Sequence, residues 1–144
     1  MPKITIEPHD SGMIFATSED DAGIFVAVQT PHEPQYGGAV RLPADRKDFD
    51  YMHLKQAITE LEKALYPIEE HREPVIAVIS TVLPGTMRRE ILPLMLKGRE
   101  FVYCPFFAAM GTVVEDVLDP EFVILGVDDV SGGAAVQTAL FFGS

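Results

Sequence analysis

Basic residues are scarce in this chain: 11 Lys and Arg stand against 22 Asp and Glu over 144 residues, a formal net charge of −11. Such a field repels phosphate backbones, so nucleic acid is not an expected partner. A nucleotide remains compatible, because a helix N-terminus holds phosphate through backbone N–H groups. Cysteine is lacking too: the single Cys104 excludes an internal disulfide and a cysteine-rich zinc centre. The four histidines, His9, His32, His53 and His71, have no metal-ligand spacing, so no metal is expected. No apolar run approaches the ~20 residues of a membrane span, and Met1-Pro2-Lys3 opens no secretory signal. A cytoplasmic protein with no membrane partner is the expectation. The chain carries no internal repeat or low-complexity segment. It also has no Gly-x-Gly-x-x-Gly turn after an N-terminal strand, so the main pyrophosphate cradle of a dinucleotide site is missing.

What is present reads as one domain over residues 1–144, with 47% hydrophobic residues, enough to bury a core. Ile4-Thr5-Ile6 and Met13 to Thr17 are short strand candidates, the first ended by Pro8 and the Asp10-Ser11-Gly12 turn signal. Gly23 to Gln29 is the first strong strand, its unbroken apolar run suiting a parallel strand covered on both faces. A Pro- and Gly-rich connection follows from Thr30 to Asp48, holding Gly37-Gly38, and a loop of that length is functional or mobile in most compact domains. Asp48 is placed to cap a helix from about Phe49 to Leu65, whose Tyr51, Leu54, Ile58, Leu61 and Leu65 share one face. Val75 to Ile79 is the next parallel strand. Pro84 then opens a helix at a position where its missing N–H costs nothing. Arg88, Arg89 and Glu90 are expected outward, Ile91, Leu92, Leu94 and Leu96 inward, and Pro93 implies a kink or two short turns. Phe101 to Cys104 and Phe122 to Leu125 are further strands, and Ser131 to Phe142 a terminal helix. Alternating strands and helices indicate an α/β architecture with a mostly parallel sheet.

Ser80 and Thr81 end a parallel strand just before a helix, at the sheet edge where ligands collect in open α/β folds. Their hydroxyls can bond a ribose, a phosphate or a water; equally, they can satisfy backbone groups of the turn. Gln29-Thr30-Pro31 ends the preceding strand in the same way. Cys104 reads as an inert, partly buried thiol, Asp128-Asp129 as a solvated turn, and the methionines as core filler and surface.

The ordered set Ser80-Thr81-Val82-Leu83-Pro84-Gly85-Thr86, Cys104-Pro105-Phe106-Phe107-Ala108-Ala109-Met110-Gly111-Thr112, Glu115-Asp116, Asp119-Pro120 and Gly126 resembles the nucleotide-sugar dehydrogenases, the UDP-glucose and GDP-mannose 6-dehydrogenases, in the second half of their NAD-binding domain. The resemblance runs from about Met13 to Phe141. It implies a partial Rossmann-like three-layer fold and an NAD cleft lined by Thr30, Ser80 and Thr81, with Asp48 and Tyr51 matching a structural Asp and Tyr of the family. It also implies departures. Two family glutamates, one in acid–base handling and one near the cofactor, fall on Phe106 and Met110, and a family lysine falls on Ile79. An apolar side chain moves no proton, so no catalytic residue is carried over. The family's nucleophilic cysteine lies in a later domain, and Cys104 stands where the family has Asn.

These departures lead to the expectation of a truncated, diverged member without a complete active site, holding NAD weakly or as a vestige, or serving as an interaction module. The alternative is one part of a split dehydrogenase completed by a partner chain. Without an opening βαβ unit, Gly23 to Val28 becomes an edge strand with unpaired backbone groups. Either the N-terminal segments fold over it, or a homodimer buries this sheet edge or the adjoining helix faces.

Overall fold

The computed structural model describes residues 5–8, 14–17, 22–32, 47–65, 74–107, 111–112, 116, 119, 121–127, 133, 136 and 138–139. Strand β1 spans Thr5–Pro8, β2 Ile14–Thr17, β3 Ala22–Val26, β4 Val75–Val78 and β5 Phe101–Tyr103, and helix α1 spans Met52–Ala64. The strands lie in one sheet in the order β1-β2-β3-β4-β5. β3, β4 and β5 are parallel neighbours, as the apolar runs predict, whereas β1–β2 and β2–β3 are antiparallel.

The strand expected at the edge is therefore central. β2 pairs with β3 from Ile14 opposite Phe25 to Thr17 opposite Ala22, so the N-terminal segments close the flank from within the chain. Pro8, at the end of β1 on the sheet margin, stands where a missing N–H breaks no inner ladder.

The core forms because β3 and β4 alternate across the sheet. Ile24, Val26, Ile76 and Val78 meet Leu54, Ala57, Ile58 and Leu61 of α1, with Ile91 closing the cluster. Each buried Val, Leu or Ile of this set stabilises the fold by about 1.5–3 kcal/mol. On the other face Phe25 and Ala77 pack with Ile79, and Val75, Val102 and Cys104 pack with Leu125 and Val127. The helical spacing of α1 was thus legible, but its start is not at Phe49. Asp48 does not cap it: its Oδ1 accepts the Phe49 N–H at 2.8 Å and the Tyr51 hydroxyl, while Asp50 Oδ1 accepts the Met52 N–H at 2.8 Å. Those side chains hold residues 48–51 as a turn and displace the helix start to Met52.

The stretch after Pro84 also differs from a plain helix. Pro84 and Gly85 form a turn, with Gly85 at φ +85°, followed by a π-helical turn at Met87–Ile91 and a 3-10 turn at Leu92–Leu94. Pro93 cannot extend an α ladder, and the Leu92 N–H reaches back to the Met87 carbonyl, five residues away. The expected break into two short turns is observed. The inward apolar side is not: Leu94 and Leu96 are 39% and 48% exposed, and only Ile91 is buried.

Phe122 to Leu125 is not a strand either. Among its described neighbours Gly126 alone pairs its backbone with β5, exchanging both hydrogen bonds with Tyr103 at 2.7 and 2.9 Å, while the Phe122 ring lies 5.3 Å from that of Phe107. Phe122, Val123 and Ile124 are exposed. Gly133, Val136, Thr138 and Ala139 are helical; the rest of the expected terminal helix lies outside the described residues.

Candidate functional site

Parallel pairing of β3 with β4 puts Val28 to Thr30 beside Ser80 and Thr81 at one sheet edge. Ser80 is buried, and its hydroxyl stands in for a ladder residue: Val28 N–H donates to Ser80 Oγ at 2.8 Å, and Ser80 Oγ donates to the Val28 carbonyl at 2.7 Å. That substitution is why β3 ends at Val26 although the apolar run continues. Thr30 Oγ1 donates to the Thr81 carbonyl at 2.8 Å. The structure thus brings Thr30, Ser80 and Thr81 together. Two of the hydroxyls serve the backbone, and the exposed Thr81 side chain faces solvent.

The turn beyond them is built on two tyrosines. Val82 N–H donates to the Tyr103 hydroxyl at 3.4 Å and Leu83 N–H to the Tyr51 hydroxyl at 3.2 Å. Tyr51 donates in turn to Asp48 at 2.5 Å, and Thr86 Oγ1 donates to Tyr51 at 3.3 Å. Burial first, then the bond to Asp48, push the Tyr51 hydroxyl above its ordinary pKa and keep it protonated. Arg89 reaches Asp48 at 3.1 Å and Thr86 at 3.4 Å. The root of the long Pro- and Gly-rich connection is pinned alongside, where Asp50 N–H donates to the Pro31 carbonyl at 2.7 Å. Residues 33–46 of that connection, with Gly37-Gly38, lie outside the described residues.

Next to the turn is a cleft of about 330 Å³ walled by Val82, Leu83, Met87, Leu92, Phe101 and Tyr103, with Arg88 among its lining. Ile79, in the place of the family lysine, packs on Phe25 and Ala77, and Phe106 is half-buried. Met110 and Asp128-Asp129 lie outside the described residues. Cys104 is fully buried, and desolvation pushes its thiol up to about 11, so no thiolate forms near neutral pH. His32 lies against the Phe49 ring and His53 near Gln29, and no group of three His, Cys, Asp or Glu converges among the described residues. None of the described helices is long and apolar enough to cross a membrane.

The fit to a dinucleotide is partial. Anionic ligands at such edges bind to free backbone N–H groups. The successive amides of Val82 and Leu83 already donate to tyrosines, so this turn is no pyrophosphate nest. A ribose-type contact to the Thr81 hydroxyl is compatible with the geometry. Sequence reasoning found the three hydroxyl residues. It missed the second tyrosine, Tyr103, because its partner Val82 is 21 positions away, whereas the Asp48–Tyr51 spacing was a visible signal.

Parallel strands with a helix packed on one face and a crossover between each pair define a Rossmann-like α/β domain. The chain belongs to the UDP-glucose/GDP-mannose dehydrogenase family, matching its NAD binding domain over residues 11–141. Among solved structures it is similar to a ternary complex of GDP-mannose dehydrogenase from Pseudomonas aeruginosa, with a TM-score of 0.60 and 23% identity over 79% of this chain. The chain spans 25% of that protein's length. No curated protein matches the sequence.

Proposed function

We propose that these residues form a nucleotide-sugar-dehydrogenase-like NAD-binding domain that contacts NAD weakly at the β3–β4 edge and does not oxidise a nucleotide sugar by itself. The observation that carries the reading is the convergence of Thr30, Ser80 and Thr81, with Thr30 held to the Thr81 carbonyl at 2.8 Å. Family membership supports NAD as the ligand. The weakness follows from the hydroxyl of Ser80 being engaged on both sides by Val28 and from the engaged amides of the turn. The lack of turnover rests on Phe106, apolar where the family has an acid–base glutamate, and on the buried, protonated Cys104.

Calorimetric titration with NAD and with UDP-glucose tests the reading. NAD gives a weak binding heat, and Thr81→Ala weakens it by about 2- to 12-fold, the worth of one hydrogen bond of about 0.5–1.5 kcal/mol. A folded sample giving no heat with NAD, or heat indifferent to Thr81→Ala, contradicts it.

A further inference from the structure

A phenol hydroxyl has one proton to donate and two lone pairs to accept with. Tyr51 uses all three: it donates to Asp48, and it accepts from the Leu83 amide at 3.2 Å and from the Thr86 hydroxyl at 3.3 Å. Its direction is forced, because a carboxylate can only accept. With the proton committed to Asp48, both lone pairs face the turn. The residue is 6% exposed, so no water substitutes for any of these partners at low cost. Arg89 completes the ring by joining Asp48 to Thr86. The junction therefore ties the end of the long connection, at Asp48, to the turn that follows Thr81.

We propose that Tyr51 is a positioning residue for the strand-end edge: its hydroxyl fixes the turn from Ser80 to Thr86 and through it the placement of the exposed Thr81 hydroxyl. The ligand side of this inference rests on the reading of the edge as a nucleotide contact. The conformational side stands on the hydrogen bonds alone.

Amide hydrogen exchange on the full chain separates the two. In Tyr51→Phe, which keeps the ring, the Leu83 amide exchanges about tenfold faster or more relative to the Ile76 amide, which donates to the Glu100 carbonyl in the sheet. Asp48→Asn, which retains an acceptor oxygen, keeps Leu83 slow, whereas Asp48→Ala releases it and serves as the second variant should Tyr51→Phe not fold. In parallel, Tyr51→Phe raises the NAD dissociation constant severalfold in the wild-type background and has no added effect in Thr81→Ala. Equal acceleration at Leu83 and Ile76 would mean general loosening and overturns the positioning role, as does an unchanged Leu83. Absent NAD heat from the wild type sinks the nucleotide reading and leaves the exchange ratio to decide the role of Tyr51.

Discussion

Removing residues 1–19 makes the chain self-associate. The variant loses β1 and β2, and β3 then offers Ile24, Phe25 and Val26 with one whole side of backbone N–H and C=O groups unpaired. An apolar, uncharged, unpaired strand is a template for another chain. The full chain keeps this side of β3 closed by the ladder from Ile14 opposite Phe25 to Thr17 opposite Ala22. Light scattering at matched micromolar concentrations should show the shortened variant at two chains or more, and heavier than the full chain. Equal masses for the shortened and full chains contradict the idea that the N-terminal pair is a seal.

Arg99→Leu destabilises the fold by about 3–5 kcal/mol, the cost of leaving a buried charge without its partner. Arg99 lies in the turn before β5 and forks onto Glu62 of α1, with Nε to Oε1 at 3.4 Å and the second nitrogen to Oε2 at 3.3 Å. The two side chains are only 3% and 9% exposed, so solvent does little to screen them. For a domain of this size such a loss lowers the melting temperature by about 10 °C or more. The double variant Glu62→Leu/Arg99→Leu recovers most of it, because replacing both charges with apolar groups removes the desolvation penalty along with the attraction. Thermal melts of the three chains check this. If Arg99→Leu melts within about 2 °C of wild type, the pair carries no such penalty.

Local pattern carried much of this architecture. The three parallel strands announced themselves as short apolar runs, and α1 as an apolar stripe at steps of three and four. The convergence of Thr30, Ser80 and Thr81 was legible for a topological reason: residues that end neighbouring parallel strands must share one edge. Other features depended on partners distant in sequence. Asp48 reads as a helix cap until its carboxylate is seen engaged by Tyr51, and nothing local to Glu62 signals its partner Arg99, 37 positions away. Phe122 to Leu125 has the composition of a strand, but β-propensity measures fit to a sheet surface and supplies no neighbour to pair with. Pro93 signalled a break, yet the widening of the preceding turn to a π geometry came from how the backbone accommodates it. The N-terminal closure of β3 was one of two repairs that the sequence allowed, and the β2–β3 ladder makes it within the chain.

On the proposed reading, a dehydrogenase-family domain keeps its strand-end edge and its tyrosine-held turn, with an apolar Phe106 at the acid–base position. The most direct measurement is NADH formation, followed by its near-ultraviolet absorbance, when the folded chain is supplied with NAD and either UDP-glucose or GDP-mannose. The account predicts a flat trace at every protein concentration, from samples that still give the Thr81-dependent NAD heat. A rise in NADH proportional to the amount of chain would contradict it, and would return catalytic duty to residues now read as scaffold.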